Sequence, residues 1–243
     1  MAFEIAIAMI VGVLLGVGAH VLTPTANANP AVRAEVAGVS LERSVGVDDE
    51  VAAVAARAVL RVEAVGCGEQ RQASATLVRA EDGRVMLLTN AHVVTGSGTV
   101  DVRVGDGSVV TVPVLGALAG RDAALLDADA LLSEAGDGVG SPAAEGGEVE
   151  LGAPLAVAGF PGGSARVDAT YLADVQRRVA DGVASQVMLT GSTVIGGSSG
   201  GAVLDGDGRV VGLVAARDRS TGHAVAHPLA GLLDAPLVAS PGC

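Results

Sequence analysis

Asn90-Ala91-His92-Val93-Val94 and Gly197-Ser198-Ser199-Gly200-Gly201, with Asp122 between them, place the three residue types of acyl transfer in one chain. A serine hydroxyl is a poor nucleophile near neutral pH. It needs an imidazole to take its proton, and the imidazole needs a carboxylate to hold its tautomer. His92 is read as the base, Asp122 as the orienting group and Ser199 as the nucleophile. Glycines on both sides of Ser199 allow a sharp turn and leave room for a substrate carbonyl. The N–H groups of Gly197 and Ser199 are expected to form an oxyanion hole, in which each donor contributes about 3–4 kcal/mol. The chain order His, Asp, Ser separates this constellation from other orders that carry the same chemistry.

Taken singly, each member has a plain alternative. A histidine after a β-run is commonly a satisfied core or surface residue, and a glycine-rich string with one serine has many false matches. Asp127 and Asp129 rival Asp122. Asp122 is preferred because Ala123-Ala124-Leu125-Leu126 behind it reads as an apolar strand able to carry it inward. Ser199 is preferred to Ser198 because it alone is followed by Gly-Gly. The joint occurrence decides the reading.

Short β-rich runs must position these residues: 59–65, 74–78, 85–89, 100–104 and 109–115, then 155–158, 167–175, 187–189, 202–204 and 210–215. Asp82-Gly83 and Asp106-Gly107 suit tight hairpins. A polar stretch at 133–147 divides two halves of similar length. No strand–helix alternation is visible, so an all-β chain of barrels or a sandwich is expected, not a parallel α/β sheet. A short helix over 51–56, capped by Asp48 or Asp49, precedes the first strand, and 227–233 reads as a closing helix.

The composition narrows the function. Of 243 residues half are apolar but only 1% aromatic, so Val, Ala and Leu must fill the core. The 15 basic residues are all Arg and the net charge is -12, which argues against a nucleic-acid partner. No metal-ligand spacing is present, and neither a metal nor another cofactor is expected.

Residues 5–22 form a nearly unbroken apolar run, just long enough to cross a bilayer. Residues 1–28 are therefore read as a membrane anchor or, given Ala26-Asn27-Ala28, as a cleaved signal peptide. Glu4 stands where a basic residue would be expected, and the first Arg is Arg33. By the positive-inside rule that would hold the C-terminal part in the cytoplasm, against export. Residues 29–52 read as a linker and short helix.

Four strings carry a family resemblance: LLTNAHVV at 87–94, RDAALL at 121–126, GAPLAVAGFPGG at 152–163 and GGSSGGAVLDGDGRVVGLVAA at 196–216. Over residues 53–243 the chain resembles the bacterial trypsin-like serine peptidases, especially the HtrA/DegP type. The resemblance implies two six-stranded antiparallel β-barrels of the chymotrypsin-like fold, about 53–130 and 148–243, with the active site in the cleft between them. It also implies an endopeptidase acting on protein or peptide substrates. The same constellation would serve a protease-fold module that captures unfolded chains without cleaving them, or a serine esterase.

Departures from the family pattern matter. No PDZ module follows before Cys243, so capture by such a module is not expected. Ser198 stands where digestive relatives have the Asp that pairs with a freed N-terminus, so that activation is not expected either. By its position relative to Ser199, the base of the substrate pocket falls near Thr193, with Ala215 and Ala224 at its wall. A neutral base implies small or apolar side chains just before the scissile bond.

Cys67 and Cys243 are the only cysteines. In an exported protein an isolated pair reads as a disulfide, here tying the domain's beginning to its end. That placement, with an apolar run upstream, also resembles the MarP-type periplasmic proteases of actinobacteria. The expected location is the cell membrane with the protease domain facing the periplasm or exterior, or secretion after signal cleavage.

Overall fold

The computed structural model describes residues 31–36, 39–136, 139–180, 183–194 and 196–243. The apolar run at 5–22 lies outside the described residues. No helix among the described residues is long and apolar enough to cross a membrane.

The chain enters through β1 (Ala31–Val36) and β2 (Val39–Ser44), paired antiparallel, and then α1 (Asp49–Ala58). The first barrel follows: β3 (Val59–Gly66), β4 (Glu69–Arg79), β5 (Val85–Thr89), β6 (Thr99–Arg103), β7 (Val109–Leu118) and β8 (Ala124–Leu126). They are ordered β7-β6-β3-β4-β5-β8, and the β7–β8 pairing closes the ring. Alternating exposed and buried residues along β6 are the expected pattern of a strand with one face on a core.

After α2 (Ala128–Ala135) and the short β9 (Ala143–Ala144) comes the second barrel. Its strands are β10 (Pro154–Gly159), β11 (Ala165–Ala180), β12 (Val183–Thr193), β13 (Ala202–Leu204), β14 (Val210–Arg217) and β15 (His223–Pro228). They run β11-β10-β13-β14-β15-β12 and close through β11–β12. The tail returns to the first barrel as β16 (Leu237–Val238), pairing with β7. Both halves are closed six-stranded antiparallel barrels, the chymotrypsin-like fold.

Leu and Val fill the space that aromatics would otherwise occupy. Val62, Leu77, Leu87, Val102 and Leu126 are fully buried inside the first barrel, and Leu172, Val203 and Val214 inside the second. A further apolar layer joins the two, with Val78, Leu88 and Leu118 from one side meeting Ala158, Leu204 and Leu213 from the other. Val51, Ala52 and Ala55 of α1 belong to it. A buried Leu is worth about 2 kcal/mol, so this layer sets the relative position of the barrels firmly.

Three elements differ from the sequence reading. Part of the segment read as linker forms β1 and β2, and β2 lies parallel to β11, with Leu41 opposite Ala165. Ser44 is buried there and its hydroxyl accepts the Ala169 N–H at 2.7 Å. Residues 227–233 do not form a helix: β15 continues to Pro228 and turns follow, because His227 and Pro228 pair with Leu213 and Gly212 of β14. Helix α2 occupies residues just before and within the stretch read as polar loop, and Asp127 caps it by accepting the Ala130 N–H at 2.9 Å.

Candidate active site

The sheet register of the first barrel brings His92 to Asp122. Strands β5 and β8 pair with Thr89 opposite Ala124. Carried past the strand ends, that register sets Ala91 opposite Asp122, one residue from His92. The chain turns tightly on both sides: Val93 N–H donates to Asn90 C=O at 3.2 Å, and Arg121 N–H to Leu118 C=O at 3.0 Å. Buried Asn90 ties the two turns together, its Nδ2 donating to the Asp122 C=O at 2.6 Å.

Asp122 grips His92 at two points. Oδ1 accepts the His92 backbone N–H at 3.0 Å, and Oδ2 lies 2.7 Å from Nδ1. A carboxylate only accepts, so Nδ1 carries a proton, and in the neutral ring Nε2 is the acceptor. Burial works to raise the Asp122 pKa, but the hydrogen bonds and charge of His92 outweigh it and keep the group below the usual carboxylate range. Asp127 is the cap of α2, and Asp129 lies in its first turn.

The loop 196–201 is fastened to both barrels. Ser74 N–H of β4 donates to the Ser199 C=O at 2.8 Å, and Thr76 Oγ1 donates to the Gly200 C=O at 2.9 Å. From the second barrel, Val214 C=O accepts the Gly200 N–H at 2.8 Å. Glycine is required at two points. Gly200 has φ +80°, and a Cβ there would sit 2.1 Å from the Ser74 carbonyl oxygen; Gly197 has φ +99°, with a Cβ 2.4 Å from the Phe160 oxygen.

Ser74 also holds the turn before the serine. Its hydroxyl donates to the Gly197 C=O at 2.8 Å and accepts the Phe160 N–H at 2.9 Å. Its own carbonyl accepts from Thr89 Oγ1 at 2.8 Å, at the end of β5 just before His92. One residue of β4 thus links the histidine's strand to the serine's loop. Ser74 stands outside the motifs that mark the site in sequence, its one local signal being a small polar residue among apolar neighbours in 73–78.

Gly196 C=O is turned toward the Gly162 N–H at 3.0 Å, so the trans peptide points the Gly197 N–H the opposite way. Among the described residues, neither Gly197 N–H nor Ser199 N–H donates to a protein acceptor. The Ser199 hydroxyl is not hydrogen-bonded to His92. Such bonds are often long without substrate and tighten in the Michaelis complex.

A cavity of about 240 Å³ opens beside Ser199. Val194, Val214 and Ala216 wall it, Gly196 and Ser198 edge it, and Arg217 stands on its lining. Ala215 and Ala224, expected at this wall, are buried and lie off the lining. Val214 and Ala216, two apart on β14, share the face on the cavity, which turns Ala215 the other way. Val214 pairs with Ala226 and Ala216 with Val225, so Ala215 is also the extra residue of a bulge. Thr193, expected at the base, ends β12 with its backbone opposite His223.

His227, read as part of the closing helix, is instead buried close to Asp122. Burial lowers its pKa against the opposing pull of Asp122, and Arg121 lowers it further. Cys67 and Cys243 are bonded, with Cα atoms 5.5 Å apart. The bridge sits on the loop after His92, where Gly96 N–H donates to Pro241 C=O at 2.8 Å.

The family described as Trypsin-like peptidase domain matches residues 73–213, more than half the chain. No curated protein matches it. Among solved structures, the active form of the Rv3671c protease from M. tuberculosis is similar at TM-score 0.65 and 21% identity, covering 90% of this chain and 99% of that one. The HtrA-type protease AlgW with tripeptide is similar at TM-score 0.63 and 24% identity, covering 76% and 60%. The serine endoprotease from Yersinia pestis follows at TM-score 0.61 and 20%, covering 76% and 64%. At such identities the structural likeness speaks to the fold, and it agrees with the sequence family. The chain belongs to the trypsin-like peptidases and is a serine endopeptidase.

Proposed function

We propose that the chain is an extracytoplasmic serine endopeptidase in which Ser199 attacks the scissile carbonyl, His92 is the general base and Asp122 orients it. The observation that carries this reading is the two-point grip of Asp122 on His92, which commits Nδ1 as donor and leaves Nε2 as the proton acceptor. Ser199 gives its proton to Nε2 as its oxygen bonds to the carbonyl carbon. The oxyanion so formed is met by the undonated N–H groups of Gly197 and Ser199. His92 then protonates the leaving amine, and water repeats the sequence in reverse to free the acyl group.

Two features support an extracytoplasmic site of action. A disulfide persists in oxidising compartments, and Cys67–Cys243 is formed. The apolar run at 5–22 supplies either an anchor or an export signal. Protein segments in extended form are the substrates this reading implies. Digestion of unfolded casein tests it: the wild type is expected to cleave, and Ser199→Ala and His92→Ala to lose about 10³-fold or more. Equal cleavage by Ser199→Ala contradicts the reading.

A further inference from the structure

We propose that Arg217 makes the cavity beside Ser199 a subsite for an acidic side chain, so that the enzyme selects substrates carrying Glu or Asp shortly before the scissile bond. The inference rests on Ser199 being the nucleophile.

The cavity adjoins Ser199, so a side chain held there belongs to a residue close to the bond being cut. Among the described residues its lining is small and apolar except for Ser198, Ser199 and Arg217, and holds no carboxylate. Arg217 is exposed, and its side chain holds no hydrogen bond or ion pair among the described residues. The nearest acid in sequence cannot serve it. Asp218 accepts Arg178 Nη2 at 2.9 Å, the Ser220 hydroxyl at 2.5 Å, and the N–H groups of Ser220 and Thr221 at 3.0 and 3.1 Å. Those bonds, the Ser220 hydroxyl first, hold Asp218 far below the usual carboxylate range, as a committed anion of its own turn.

The position of Arg217 follows from the fold. The bulge at Ala215 resets the strand, and Arg217 then pairs with Ala224 before the 218–222 turn. Arg217 sets a positive charge beside Ser199 in a chain whose net charge is -12. A planar guanidinium meets a carboxylate through two parallel N–H donors, a geometry that an amide or ammonium partner cannot use. This replaces the expectation of small or apolar selection, which came from the neutral side chain at Thr193.

The test uses internally quenched peptides that carry Glu, Gln, Ala or Lys in turn at each of the four residues before the scissile bond. For the wild type, Glu is expected to exceed Gln in kcat/KM at one of these positions by about tenfold to a hundredfold, the range of one charge-assisted hydrogen bond. Arg217→Ala is expected to bring Glu down to Gln at that position, and Arg217→Glu to favour Lys there. Glu no better than Gln at every position, or a Glu preference that survives in Arg217→Ala, overturns the proposal while cleavage itself upholds the endopeptidase reading. A wild type that cuts casein but none of the Glu peptides overturns it equally. Cleavage of the peptides by Ser199→Ala at the wild-type rate overturns the reading beneath it.

Discussion

The Ser74 N–H donates to the Ser199 carbonyl at 2.8 Å, a bond that crosses from the first barrel to the loop carrying the nucleophile. The same residue binds Gly197 and Phe160 through its hydroxyl and Thr89 through its carbonyl. The alignment of base and nucleophile therefore depends on β4, although β4 supplies neither.

Ser74→Ala removes the hydroxyl bonds and leaves the backbone bonds in place. Two neutral hydrogen bonds are worth about 1–2 kcal/mol together. The expected outcome is a fall in kcat of about tenfold with KM little changed, since the loss falls on the orientation of the Gly197 peptide. Unchanged kcat would show that the loop holds its form without the clip.

Gly200→Ala tests how closely the loop is set against β4. A Cβ would meet the Ser74 oxygen at 2.1 Å and Thr89 Oγ1 at 2.6 Å, at a φ of +80°. The Ser74 backbone cannot yield cheaply, and a loss of more than about 3 kcal/mol of stability is expected in denaturant titration. Gly206→Ala, with open space at its Cβ, is the control and is expected to leave the midpoint nearly unchanged.

Asp122→Asn keeps the shape and loses the charge. Asn can present its N–H₂ to Nδ1 and so favours the wrong tautomer, and kcat is expected to fall by about 10³–10⁴. Stability carries a matching sign. The folded-state pKa of Asp122 is lowered, so its contribution is fully present above the ordinary carboxylate range and is lost as pH falls through the lowered value. The gap in unfolding midpoint between wild type and Asp122→Asn should be constant near neutrality and shrink below about pH 4. A gap that widens on acidification contradicts the assignment.

The disulfide closes a sequence separation of 176 residues across the loop after His92. Chain-entropy reasoning gives about 4–5 kcal/mol for loops of this order. Reduction, or Cys67→Ser with Cys243→Ser, is expected to lower the thermal midpoint by several degrees. An unchanged midpoint would mean that the tail is held by β16 and the Gly96–Pro241 bond alone.

His92, Ser199 and Asp122 were legible because each lies in a local string: a β-run ending in Asn-Ala-His, a glycine-framed serine, an acid before an apolar strand. The barrels were legible from short runs and Asp-Gly turns. What stayed hidden depends on contacts distant in sequence. Ser74 meets Gly197 more than a hundred positions away, and nothing near either residue marks the bond. The cavity wall falls on Val214 and Ala216 and not on Ala215, because strand pairing decides which face a side chain takes. Residues 227–233 looked helical by composition, yet pairing with β14 held His227 and Pro228 extended. Segments 31–36 and 39–44 lacked a period of their own and became strands only against each other and β11.

Intact-protein mass spectrometry after reaction with a fluorophosphonate reports whether Ser199 is a nucleophile activated in place. One adduct is expected on Ser199 in the folded wild type and none in Ser199→Ala. A folded wild type that stays unlabelled, or an adduct that persists in Ser199→Ala, would contradict it.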